Sequence, residues 1–165
     1  MPTSRVAVMG AGASALVLEL ARSGYTSIDA VDVSAAALEQ LAQLLGSDAD
    51  NVRRLCADVR EVRFDGLVDV WHDRATFHFL TSPVDQATYV QRVLEAVSPG
   101  GHVVLASFSE AGPEQCSGLP VARHSVAALC TLFGKSFELV DSFESEHTTP
   151  WGAPQAFTHV LLRRT

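Results

Sequence analysis

A short apolar run, Val6-Ala-Val-Met9, breaks into Gly10-Ala-Gly12, passes through a helical apolar pattern, and is followed by a second apolar run ending on a carboxylate, Ile28-Asp-Ala-Val-Asp32. No other feature of the chain constrains the fold as much. Two apolar runs of strand length joined by a helix read as the opening unit of an α/β sheet, with the glycine turn at the sheet's carboxyl edge. Glycines there let main chain approach a ligand closely. A carboxylate 22 residues beyond Gly10, at the end of the next strand, stands where ribose hydroxyls are held. These residues predict a nucleotide-type crevice.

The rest of the chain keeps the alternation. Strands are predicted over 5–9, 27–33, 52–57, 67–71 and 102–108, the last almost purely apolar. Helices are predicted over 15–23, ended by Gly24; from the Ser34 cap to Gly46; and over 83–96, closed by Ser98-Pro-Gly-Gly101. A Gly/Pro/Ser loop then runs to about Pro120, followed by a helix over 125–133. Two strands, 137–144 and 156–163, close the chain around a Thr/Pro/Gly loop and read as a hairpin at the sheet edge. The predicted fold is α/β: a doubly wound, Rossmann-like sheet of seven strands, mostly parallel with a C-terminal antiparallel hairpin, in one domain over 1–165.

Composition excludes several partners. With 47% hydrophobic residues over 165 positions the chain can bury a real core. Its net charge of -7 argues against a nucleic acid, which wants a basic face. No apolar run reaches the roughly 18 residues of a membrane span, and Met-Pro-Thr-Ser-Arg5 is too short for a signal peptide. A cytoplasmic protein that does not engage membranes is expected. Three cysteines, Cys56, Cys116 and Cys130, form neither a disulfide framework nor a paired metal spacing, so no metal is expected.

The element order and the local motifs together resemble the class I S-adenosylmethionine-dependent methyltransferases. Gly10-Ala11-Gly12 stands at that family's glycine loop, Asp32 at its ribose carboxylate, Ala57-Asp58-Val59 at its adenine-side acid, and Pro99-Gly-Gly101 before strand 5. Trp71-His-Asp-Arg-Ala-Thr-Phe-His-Phe-Leu80, Cys116-Ser-Gly-Leu-Pro120 and Glu146-His-Thr-Thr-Pro-Trp-Gly152 resemble a group of small bacterial methyltransferases more closely still. The resemblance implies S-adenosylmethionine as cofactor and a small-molecule acceptor. Two departures stand out. Val8 replaces the acidic residue most members carry two positions before the first glycine. Strand 1 also starts within five residues of Met1, where members usually spend a few tens of residues on a lid, so an open crevice, self-association or a covering partner chain is expected.

Each candidate has two readings. Gly10-Ala-Gly-Ala-Ser-Ala15 also satisfies a dinucleotide fingerprint, and a cofactor-fold binding module with weak or no catalysis stays open as well. Asp32 is a ribose ligand or a helix cap. Asp58 is an adenine-side ligand or a loop carboxylate accepting local N–H groups. Val33 and Val59 pack an adenine or are core. His72 is expected to offer its carbonyl to the donor's amino group. Asp73 and Arg74 are base, orienter or acceptor clamp, or a pair that fixes a turn. Phe77 and Cys116 are acceptor-side candidates, His78 is one too or else lies on the apolar face of Phe77-His-Phe-Leu80, the reading preferred for it, and His147, placed in the loop between the last two strands, is a candidate proton acceptor.

Overall fold

The computed structural model describes residues 3–149 and 152–165. Pro150 and Trp151, inside the Glu146–Gly152 motif, and Met1 and Pro2 lie outside the described residues.

Five strands, β1 (Val6–Met9), β2 (Ile28–Asp32), β3 (Val52–Cys56), β4 (Val68–Arg74) and β5 (Val97–Phe108), run parallel. A two-residue hairpin, β6 (Gln115–Cys116) and β7 (Leu119–Pro120), follows, and β8 (Phe137–Thr148) and β9 (Pro154–Arg164) complete the main sheet. Its order is β3-β2-β1-β4-β5-β9-β8, with β9 antiparallel to both neighbours. Helices α1 (Ala15–Arg22) and α2 (Ala35–Leu45) pack on one face of β1 to β3 through Val17, Leu38 and Leu41 against Val8 and Ile28. On the opposite face lie α3 (Pro83–Ala96) and α4 (Val126–Phe133), whose Tyr89, Val93, Leu129 and Phe133 close over Trp71, Val103, Leu105 and Leu162. Each such fully buried large side chain contributes roughly 1.5–3 kcal/mol.

Local chemistry sets the helix ends. Ser34, Ser82 and Ser125 accept from Ala37 N (3.2 Å), Val84 N (3.2 Å) and Ala128 N (3.4 Å), which satisfies orphan amides in the first turns. Pro83 starts α3 with its φ already helical. Ser14, which precedes α1, makes no side-chain cap bond.

Three boundaries differ from the sequence expectation. β4 continues to Arg74, so His72, Asp73 and Arg74 are strand residues and not the loop after it. β5 starts at Val97, which pairs with Val68 across an irregularity in the ladder, so Ser98-Pro-Gly-Gly101 lies inside a strand. The closing hairpin reaches Thr148 and Pro154. No helix among the described residues is long and apolar enough to cross a membrane.

Candidate functional site

At the carboxyl edge of the parallel strands, two cavities of about 440 Å³ each meet at Gly10 and Arg74, forming one groove. That size suits a small ligand. One lobe is walled by Asp32, Val33, Ala57, Asp58, Val59, Ala75, Thr76, Phe79, Leu80 and Leu119. The other follows the glycine turn from Val8 to Leu16, with His72 across from it.

Gly10 and Gly12 take positive φ values of 57° and 44°, conformations that favour glycine. Gly10 is fixed by space as well, because a Cβ there would stand 2.0 Å from Thr76 Oγ1. Ala11 is buried and donates its N–H to the Val31 carbonyl (2.9 Å), which ties the turn to β2. Asp32 lies against this turn. Its Oδ2 accepts from Gly12 N (2.8 Å) and its Oδ1 from Ser34 N (2.8 Å). A carboxylate has about four lone-pair sites, so both oxygens keep capacity for hydroxyl donors in the groove. Val33 beside it is 70% exposed, an apolar side chain left uncovered at the groove wall.

Asp58 also borders the groove, but its carboxylate is engaged. Arg60 grips it with Nε (2.9 Å), Nη2 (2.6 Å) and its own backbone N (2.8 Å), and reaches Asp85 on α3 with Nη1 (2.8 Å). Those bonds hold the Asp58 carboxyl below the usual carboxylate range. The local-turn reading describes its side chain. Val59 is buried and still lines the wall.

The residues after Trp71 sort by strand alternation. His72 and Arg74 point to the α1 face of the sheet, and Trp71 and Asp73 to the α3 face. Asp73 is fully buried and accepts from Thr76 N (2.9 Å), Phe77 N (3.2 Å) and the Tyr89 hydroxyl (2.7 Å), while Trp71 Nε1 donates to Tyr89 (2.9 Å). Burial pushes its carboxyl up to about 6, against the pull of Tyr89 and the turn amides. Asp73 therefore corrects the expectation of a groove-facing base: it braces the turn that presents Arg74, Ala75 and Thr76. Ala75 in that turn carries a positive φ of 67°, the kind of strain that collects at functional sites.

Arg74 is exposed, and its guanidinium carbon lies 5.6 Å from the centre of the Phe157 ring. His72 pairs in register with Val8 and Val104, and its Nδ1 is buried without a partner. Burial first, then Arg74, lower its pKa.

Four other candidates lie elsewhere. Phe77 and His78 are fully buried: the 3₁₀ turn Phe77–Phe79 packs Phe77 on Tyr89 (centroids 4.8 Å apart) and His78 on Phe108 (4.5 Å). Both are core residues, and the next two, Phe79 and Leu80, reach the groove. Cys116 packs on the Ala106–Phe108–Phe157 cluster, and Leu119 across the small hairpin faces the groove in its place. His147 is an exposed residue of β8 paired with Gln155, not a loop residue, and does not border the groove. Sequence reasoning missed Thr76 and Leu119. Only the closeness of Thr76 to Gly10 identifies it, and no sequence spacing reports that contact. No group of three or more His, Cys, Asp or Glu suited to a metal occurs among the described residues.

Comparison with known proteins places this geometry. Residues 6–101 match the model of a family described as a methyltransferase domain. No curated protein matches the sequence. The fold is similar to that of an S-adenosylmethionine-dependent methyltransferase from Methanosarcina mazei (TM-score 0.82, 16% identity, 99% of this chain and 93% of that one). It is also similar to the 1,6-didemethyltoxoflavin-N1-methyltransferase of Burkholderia thailandensis, solved with its substrate and S-adenosylhomocysteine (0.78, 22%, 99% and 72%). A third similar structure is the N-methyltransferase NodS of Bradyrhizobium japonicum with S-adenosylhomocysteine (0.77, 16%, 98% and 78%).

Proposed function

The chain belongs to the methyltransferase-domain family, and from that premise we propose that it binds S-adenosylmethionine in the groove and transfers its methyl group to a small-molecule nucleophile. The observation that carries this reading is Asp32, held by the Gly12 and Ser34 amides at the end of β2 with lone pairs left for two ribose hydroxyls. The residues present fit the cofactor. Val33, Val59 and Leu80 supply apolar walls for a flat base. Gly10 admits close approach because it has no side chain and no room for one. The glycine-turn lobe, with His72, takes the amino-acid tail.

Val8 sharpens the reading. It is 2% exposed and packs in the α1 core, so the tail lobe offers main-chain carbonyls and a neutral imidazole to an ammonium group, and no carboxylate. An absent charge-assisted hydrogen bond corresponds to roughly 1.5–3 kcal/mol of affinity.

When bound, the cofactor supplies a sulfonium methyl: an acceptor lone pair forms the new bond to carbon while the carbon–sulfur pair stays on sulfur, leaving S-adenosylhomocysteine. This chain's residues do the positioning. Asp73 fixes the turn, and the turn sets Arg74 at the junction of the two lobes and Thr76 against Gly10. Calorimetric titration separates the alternatives. Saturable binding of S-adenosylhomocysteine with none of NAD supports the reading; the reverse result overturns it, and cofactor binding without turnover on any small acceptor leaves a binding module.

A further inference from the structure

The chemistry facing Arg74 narrows the acceptor. Seven of the eleven arginines, Arg5, Arg22, Arg53, Arg60, Arg92, Arg123 and Arg163, hold carboxylates, and Arg54, Arg63 and Arg164 donate to backbone carbonyls. Arg74, although exposed in a chain with 19 acidic residues, takes part in no ion pair among the described residues. It is also the single cation bordering either lobe, and it borders both. A guanidinium left unpaired at the junction of a groove is a preformed fork for a carboxylate or a similar anion.

A further observation points to the same chemistry. Asp58 is held by Arg60, Asp73 is buried on the other face, and Asp32 is committed to two amides and, in the reading above, to the ribose, so among the described residues His72, its Nδ1 shut in against the sheet, is the one imidazole lining either lobe. An acceptor that binds as its conjugate base needs no base. Attack by an anion on a sulfonium methyl gives two uncharged products and leaves no proton to place.

We propose that the acceptor is a small acid that binds as its anion, its charge on Arg74 at the junction of the two lobes. This rests on the methyl-transfer reading above. The sulfonium of the cofactor proposed there is a cation, and an anionic acceptor beside it offsets that charge as well as the charge of Arg74.

The test measures binding of matched acids and amides (benzoate and benzamide, cinnamate and cinnamamide, salicylate and salicylamide) by ligand-observed NMR. It uses the protein alone and with S-adenosylhomocysteine, in wild type, Arg74→Ala and Arg74→Lys. The acids are expected to bind wild type at least tenfold more tightly than their amides. Arg74→Ala should abolish that preference, with and without S-adenosylhomocysteine, while Arg74→Lys should keep part of it. Equal binding of acids and amides, or a preference that survives Arg74→Ala, overturns the proposal. A tenfold loss of S-adenosylhomocysteine affinity in Arg74→Ala overturns it too, because Arg74 would then hold the cofactor's own carboxylate. A wild type that binds no S-adenosylhomocysteine brings down the cofactor reading instead, and the acid preference of the protein alone is then judged by itself.

Discussion

Asp29 and Asp32 stand three residues apart on β2, each beside a cavity, and they differ in what they touch. Asp29, 2% exposed, takes Arg5 Nε at 2.7 Å and Arg53 Nε at 2.6 Å, and both guanidiniums go on to Asp65 at 2.7 and 2.6 Å. The cavity of about 330 Å³ beside this quartet is lined by its two arginines and two aspartates, whose charges neutralise one another, and by Asp50. Asp32 accepts only two amides, and its groove holds an unpaired arginine, an exposed valine and a left-handed alanine. The amino edge of the sheet is chemically closed; the carboxyl edge is left open. Charges that satisfy each other clamp β1, β2 and β3, and charges that do not are available to a ligand.

Removing the centre of the closed edge should have the largest effect. Asp29→Ala leaves two partly buried guanidiniums facing one exposed carboxylate, and urea unfolding is expected to show a loss of about 3 kcal/mol, the low end for a broken buried pair. Asp65→Ala, 70% exposed, should cost much less, because solvent screens its pairs. Equal losses would show that burial does not rank these two carboxylates.

Acid should separate two buried groups. His78 is held neutral, its pKa lowered to about 4 by burial and by His124; it stabilises the fold above its unfolded value near 6.5, and that contribution is lost as pH falls toward 4. Asp73, raised to about 6, acts oppositely: the fold gains as pH falls from 6 toward 4 and its carboxyl protonates. Each contributes about 3 kcal/mol, so they largely cancel. Asp73→Asn should therefore steepen the acid loss between pH 6 and 4, and His78→Phe should flatten it. An unchanged slope in both variants would mean that neither group titrates as its burial requires.

The smaller effect is steric. Gly10→Ala places a methyl on Thr76 Oγ1 in a left-handed conformation and should cost about 2 kcal/mol of stability together with binding in the groove. Adding Thr76→Ala removes that oxygen and should restore part of both. No recovery would place the whole cost in the backbone.

The closed and open edges were unequally legible in the sequence. Glycine turn, strand alternation and the terminal carboxylate of β2 are local patterns, so the sheet, its hairpin and the position of Asp32 could be read directly. Strand ends were harder. Ser98-Pro-Gly-Gly101 carries turn chemistry but lies in a strand because Val97 pairs with Val68. Glu144 to Thr148 is polar because β8 is an exposed edge, so His147 read as loop. Ending β4 at Trp71 hid the alternation that sends Asp73 to Tyr89 and Arg74 to the groove. The pairing of Asp29 with Arg5 and Arg53 joins residues 24 positions away on either side, and no local pattern reports it.

Isothermal titration of S-adenosylhomocysteine into wild type, Asp32→Ala and Asp29→Ala, at a temperature where all three are folded, tests the contrast directly. The expected result is saturable binding by wild type, a loss of roughly tenfold to a hundredfold in Asp32→Ala, and affinity within about threefold of wild type in Asp29→Ala despite its lower stability. Unchanged affinity in Asp32→Ala, or an equal loss in both variants, would contradict the assignment of the open edge as the cofactor site.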